Sequence, residues 1–102
     1  MFDTAAFADL RSYIKRRVSY VRYKMGGTYY VANLNDVDIL TDGTVRVRVT
    51  LAPTITQNVT VTRVELFSSA NELWAHQDVS IQLTPASSRA LFWFDFKIEE
   101  VN

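Results

Sequence analysis

His76 is the one histidine in this chain, and the chain has no cysteine. Those two facts narrow the chemistry at once. A three-histidine metal site, a thiolate zinc site, an iron–sulfur cluster and a disulfide are all excluded within one copy. Ser68 and Ser69 could in principle pair with His76 as nucleophiles, but neither sits in a nucleophile motif. Glu99 and Glu100 are adjacent, so an extended backbone would point them to opposite faces. Asp36 and Asp38 would share one strand face, and pairing with Arg46 or Arg48 accounts for them without catalysis. No glycine loop is built to cradle a phosphate. Asn58-Val59-Thr60 matches a glycosylation acceptor pattern but reads better as the start of a strand. The expectation is a protein that is not an enzyme, with no catalytic, metal or cofactor-binding residues.

Recognition is better served than catalysis. Tyr20, Tyr29, Trp74 and Trp93 fall on faces that need not be core, where a ring can anchor a protein interface or stack on a sugar. Basic residues cluster early. Residues 1–25 carry six bases, among them Arg11, Lys15 and Arg22, against two acids, a balance of +4; the remainder carries five bases and nine acids, a balance of −4. Either the basic end docks on the chain's own acidic sheet, or it meets an acidic partner or a neighbouring copy. The net charge is zero, which gives no support for nucleic-acid binding. No apolar run approaches the length of a membrane span. The opening residues MFDTAAFADL have acids where a secretory signal needs bases.

The elements that hold these residues follow from periodicity. A chain of 102 residues is expected to form a single domain, 1–102. Residues 4–17 read as a helix capped by Asp3 or Thr4, with Phe7, Leu10, Ile14 and Val18 on one face. Arg11 and Lys15 sit beside that stripe. From residue 18 to 100 the chain reads as β-rich. VSYVRYKM and TYYVANL flank Gly26-Gly27, a hairpin signal that pairs Met25 with Thr28, Tyr23 with Tyr30 and Val21 with Ala32. The competing reading continues the helix to Met25 with Gly26 as its cap. Strand propensity favours the hairpin.

Val45, Val47, Val49 and Leu51 alternate cleanly with polar residues. A three-residue Thr41-Asp42-Gly43 loop sets Ile39 opposite Val45, Val37 opposite Val47 and Asp38 opposite Arg46, with Gly43 left-handed at a bulge. In NVTVTRVELFSSANELWAH, Val59 and Val61 have one parity and Val64 and Leu66 the other. One extra residue near Thr62–Arg63 restores a common buried face. Ser68-Ser69-Ala70-Asn71 is the turn, and the return strand begins with Leu73 and Ala75 inward or with Trp74 and His76 inward. Val79, Ile81 and Leu83 alternate again, and Phe92, Phe94 and Phe96 share a face with Ala90 and Ile98. The fold class expected is mainly β (α+β): an N-terminal helix and an antiparallel sandwich-like assembly of about seven strands, with the three phenylalanines dry between two layers.

Two phrases carry a resemblance. TRVELFSSANELWAH resembles modules of phage tails and tail fibres, where a strand ending in Glu-Leu-Phe leads through a polar turn to a Leu-aromatic-Ala strand. DLRSYIKRRVSYVRYKMGGTYYVANL is similar to small prophage-encoded proteins from tail and baseplate regions of gut Gram-positive bacteria. The resemblance implies a virion structural or assembly protein in multiple copies, bound to itself or to other virion proteins. It implies a bacterial cytoplasm during expression and the particle thereafter. A small carbohydrate-binding β-sandwich module, with a weak glycan contact, is the alternative. The interface residues expected are Arg11, Lys15, Tyr20, Arg22, Tyr29, Trp74 and Trp93; a sugar would use Trp74, Trp93 or a Tyr as its platform.

Overall fold

The computed structural model describes residues 4–98, with side chains from residue 5. Helix α1 (Thr4–Arg17) is followed by strands β1 (Val18–Met25), β2 (Thr28–Ile39), β3 (Val45–Leu51), β4 (Val59–Ser68), β5 (Leu73–Leu83) and β6 (Ala90–Phe96). Neighbouring strands pair antiparallel in the order β5-β4-β1-β2-β3-β6. The two outer strands, β5 and β6, approach each other, so the sheet is curved and nearly closed. The proposed caps Asp3 and Thr4, and the Glu99–Glu100 pair, lie outside the described side chains.

The hairpin reading of residues 18–34 holds, with Tyr23 opposite Tyr30 and Val21 opposite Ala32. The helix gives way to β1 with no intervening loop, because two backbone groups lock the junction. The Arg17 carbonyl accepts a hydrogen bond from the Ser69 amide (2.8 Å), supplied by the β4–β5 turn. Three bases in the last helical turn, Lys15, Arg16 and Arg17, suit the negative end of the helix dipole.

The two turns that frame the sheet share one geometry. Leu40 donates its amide to the Thr44 carbonyl (2.8 Å), and the Gly43 amide donates to the Leu40 carbonyl (2.9 Å). Ser68 donates to Glu72 (2.9 Å) and Asn71 to Ser68 (2.9 Å) in the same way. Each loop has three residues and ends on one in the left-handed region, Gly43 (φ 88) or Asn71 (φ 61). The expected pairs Ile39–Val45, Val37–Val47 and Asp38–Arg46 all form.

The extra residue of β4 is Thr62. Lys24 pairs with Arg63 and Met25 with Val61, so Thr62 is passed over. Val61, Val64 and Leu66 thereby reach the same interior, each fully buried. In β5 an irregularity between Ala75 and Leu73 resolves the two parities offered for the return strand. Ala75 lies opposite Leu66 and packs on the core, His76 lies outside opposite Glu65, and Trp74 is carried against the core by the extra residue.

Three expectations are corrected. First, the strands number six among the described residues, not about seven. Residues 28–34 and 36–39 form one long β2, whose irregularity between Leu34 and Asp36 bends it without breaking it. Second, the described strands form one nearly closed sheet rather than two separate ones. Phe94 is buried and Phe92 and Phe96 are partly buried on the inner face of one coiled sheet. Strand twist and bulges curve the sheet round its own core, and α1 covers one end. Third, the helix stripe is rotated. Ile14 meets the core and Arg11 packs against Gly43, whereas Leu10 is 43% exposed beside Tyr13. Residues four apart, Phe7 and Arg11, stack instead, the guanidinium 5.8 Å from the ring.

Candidate functional site

The outer face of β4, β1 and β2 holds a column of rings and cations. Alternation in β1 sends Val21, Tyr23 and Met25 inward and Tyr20, Arg22 and Lys24 outward. Tyr20 stacks on Phe67 with centroids 5.1 Å apart and planes 3° from parallel. The Arg22 guanidinium lies between Phe67 (5.1 Å) and Tyr29 (4.1 Å), and the Lys24 ammonium reaches Tyr29 at 5.7 Å. Tyr20 donates its hydroxyl hydrogen to Asn71 Oδ1 (3.2 Å), which fastens the column to the β4–β5 turn.

Beside the column runs an ion network. Arg22 Nε donates to Glu65 Oε1 (2.7 Å) and Arg63 Nε to Glu65 Oε2 (2.9 Å), while Arg63 also reaches Asp78 at 3.6 Å. Glu65 is 4% exposed, on a face otherwise open to water. Burial pushes its pKa up, but the hydrogen bonds from Arg22 and Arg63 outweigh that, so its carboxyl titrates below the ordinary range. On β3 and β6, Arg46 binds Asp95 through two hydrogen bonds of 2.9 Å each, and this fork lowers the Asp95 pKa. Arg48 takes both Asp36 (2.9 Å) and Asp38 (2.7 Å). Asp38 therefore faces Arg46 along the ladder yet bonds diagonally to Arg48, because Arg46 is already engaged.

These carboxylates set the acid limit of the fold. A folded pKa below the unfolded one gives stability that is present above the unfolded value, about 4 for Asp and Glu. It is lost as pH falls through the folded value. The melting temperature is expected to stay level from neutral pH to about 5 and to fall steeply below about 4. Glu65→Gln is expected to be less stable at pH 7 by about 1–3 kcal/mol and to lose less between pH 5 and pH 2. Melting curves of both proteins across pH check this, and an unchanged acid slope in the variant contradicts it.

The residues singled out from sequence separate into three groups. Tyr20, Arg22 and Tyr29 come together in the column. Trp93 stands apart on β6, 47% exposed, with the Arg46 guanidinium 5.2 Å over its ring and Leu91 exposed on the same face. Trp74, Arg11 and Lys15 belong to the helix end. Trp74 is no free platform: Tyr13 stacks on it at 6.2 Å and Arg17 covers it at 6.0 Å. Arg11 is half-buried, its Nε without a hydrogen-bond partner among the described residues. Lys15 is exposed. Among the described residues no basic side chain of the helix forms an ion pair with an acid. The ion pairs among described residues lie within the sheet, and the helix is held through rings. Sequence reasoning missed Phe67, whose parity with Glu65 and Arg63 on β4 was the available signal.

His76 lies outside on β5, opposite Glu65 on β4. No group of three metal-binding side chains occurs among the described residues, and no described helix is long and apolar enough to cross a membrane. Comparison with protein families, with characterised proteins and with solved structures gives no match to this chain.

Proposed function

We propose that this chain is a phage-derived virion structural or assembly protein, working by contact with copies of itself or with other virion proteins. The observation that carries the reading is the outer-face column Tyr20–Phe67–Arg22–Tyr29, with Trp93 and Leu91 exposed apart from it on β6. Tyr, Trp and Arg are the side chains that dominate protein interfaces, and rings already held by stacking lose little entropy on binding. A second apolar area supports it: Leu10 and Tyr13 on α1, both 43% exposed, line a shallow cleft of about 640 Å³ with Ala6. The two phrases similar to tail-region proteins supply the virion setting.

The test is self-association by sedimentation velocity over a wide concentration range, with co-purification of neighbouring tail proteins. Tyr29→Ala and Trp93→Ala are each expected to weaken association about tenfold. Both are exposed, so the melting temperature should barely move. A wild-type chain that stays monomeric and captures no neighbour sinks the proposal. The alternative of a carbohydrate-binding module is favoured by Trp93 alone. A guanidinium already lies over that ring and over Tyr29, on faces a sugar would use. Binding to a glycan array that Trp93→Ala abolishes would turn the reading in its direction.

A further inference from the structure

The long strand β2 changes partner along its length: its first half is paired with β1 alone and its second half with β3 alone. Residues 28–33 pair with β1, and the pairing with β3 begins at Leu34 opposite Val49. At that point Asn35 Nδ2 donates to Thr50 Oγ1 (2.7 Å), and beyond it β3 leaves β2 and leads into the connection 52–58. Residues 28–33 therefore present alternate N–H and C=O groups away from β1. No described backbone group bonds to them. Thr28, Tyr29, Tyr30 and Val31 are all exposed, Val31 at 66%. An open ladder of this kind is a template for another strand.

Alongside it lies a cleft of about 540 Å³. One wall is Tyr23, Tyr30 and Val31, and the other is the connection, with Pro53, Ile55 and Gln57. The volume is that of a ligand pocket. Every residue lining the cleft is uncharged. Tyr23 and Tyr30 stack at 5.8 Å, and burial followed by the neighbouring Tyr30 raises the Tyr23 pKa, so the Tyr23 hydroxyl stays neutral at physiological pH.

We propose that this edge and cleft form a β-augmentation site, which takes one extended, uncharged peptide segment of another protein as an added strand on β2. The ladder supplies main-chain hydrogen bonds. Side chains on one face of the segment enter between Tyr30 and Ile55, and those on the other lie by Val31. A single strand is specified over a second folded copy. The connection 53–57 walls the far side of the cleft, and a lone extended segment needs less room there than a strand carried by a folded copy. The inference rests on the contact reading above only in taking the partner to be a protein, and it uses the strand edge and cleft beside the outer-face column, with which the edge shares Tyr29.

The experiment is an NMR titration of the whole chain with a blocked hexapeptide alternating Thr and Val, and with its two alternately N-methylated isomers. Shifts confined to residues 28–33 and 53–57 are expected. One N-methyl isomer, whose blocked edge faces β2, should bind at least about tenfold more weakly, while the other binds as the parent does. Ile55→Glu should weaken the parent peptide by a similar factor. Trp93→Ala should leave peptide binding intact even where it abolishes self-association, which separates this site from the outer face. Equal binding of both isomers would mean an apolar cleft without strand pairing and would overturn the proposal. So would shifts elsewhere on adding peptide, no shifts, or concentration-dependent shifts at residues 53–57 without peptide. The isomer comparison stands even if Ile55→Glu fails to fold.

Discussion

Deletion of Thr62 is expected to abolish cooperative unfolding. Thr62 is exposed and makes no ladder pair with β1, so its side chain itself holds little together. Its backbone, however, is what lets Val61 and Val64 share one interior although their sequence parity differs. Side chains alternate strictly along a strand, so removing one residue turns everything on one side of the cut to the other face. Either Val59 and Val61 or Val64 and Leu66 would then face water, and polar neighbours would enter the core. Exposing two such side chains costs about 3–6 kcal/mol at roughly 1.5–3 kcal/mol each. That is comparable with the whole stability of a small domain, about 5–15 kcal/mol. The measurement is calorimetry and near-ultraviolet dichroism of the deletion variant beside Thr62→Ala. The point substitution, which keeps the residue count, should change stability by less than about 1 kcal/mol. A deletion variant with a sharp native-like transition would show that β4 re-registers without loss.

The second large effect is at Gly43. Its φ of +88 is closed to β-branched residues, and a Cβ there would stand 2.6 Å from Arg11 Nη2 and 2.7 Å from Arg11 Cζ. Gly43→Val therefore combines backbone strain of about 1–2 kcal/mol with about 1 kcal/mol for displacing the Arg11 guanidinium, which as the end of a long flexible side chain yields at the low end of the overpacking range. Displacement of Arg11 also loosens α1 from the β2–β3 turn. A total of about 2–3 kcal/mol is expected, read as a fall in the denaturation midpoint. A double-mutant cycle separates the causes. In an Arg11→Ala background the strain remains and the collision disappears, so Gly43→Ala should cost less there by about 1 kcal/mol or more. Gly43→Asn should be tolerated better than Gly43→Val, because the equivalent position of the other turn already holds Asn71 at φ 61. Additivity within about 0.5 kcal/mol would mean that Arg11 swings aside freely.

Periodicity alone determined the local architecture. The helix limits, the Gly26-Gly27 hairpin register, the three-residue loop ending at Gly43 and the extra residue near Thr62 follow from neighbours along the chain or across one turn. Each of these is a short-range decision, made by side-chain alternation, turn chemistry and the need to keep apolar groups on one face. Parity likewise placed Tyr20, Arg22 and Tyr29 on a common outer face.

Tertiary structure decided what those faces meet. Whether the strands make two layers or one coiled sheet depends on where β2 exchanges β1 for β3, and a bend inside a continuous strand leaves no breaker residue in the sequence. The same holds for the helix, whose Leu10 is apolar yet exposed while charged Arg11 turns inward, because the surface offered to it was the Gly43 turn and the Trp74 ring. The open half of the β2 edge belongs to this class as well. A strand's side chains report its own geometry, but whether a neighbour completes its backbone ladder is settled by chain segments distant in sequence.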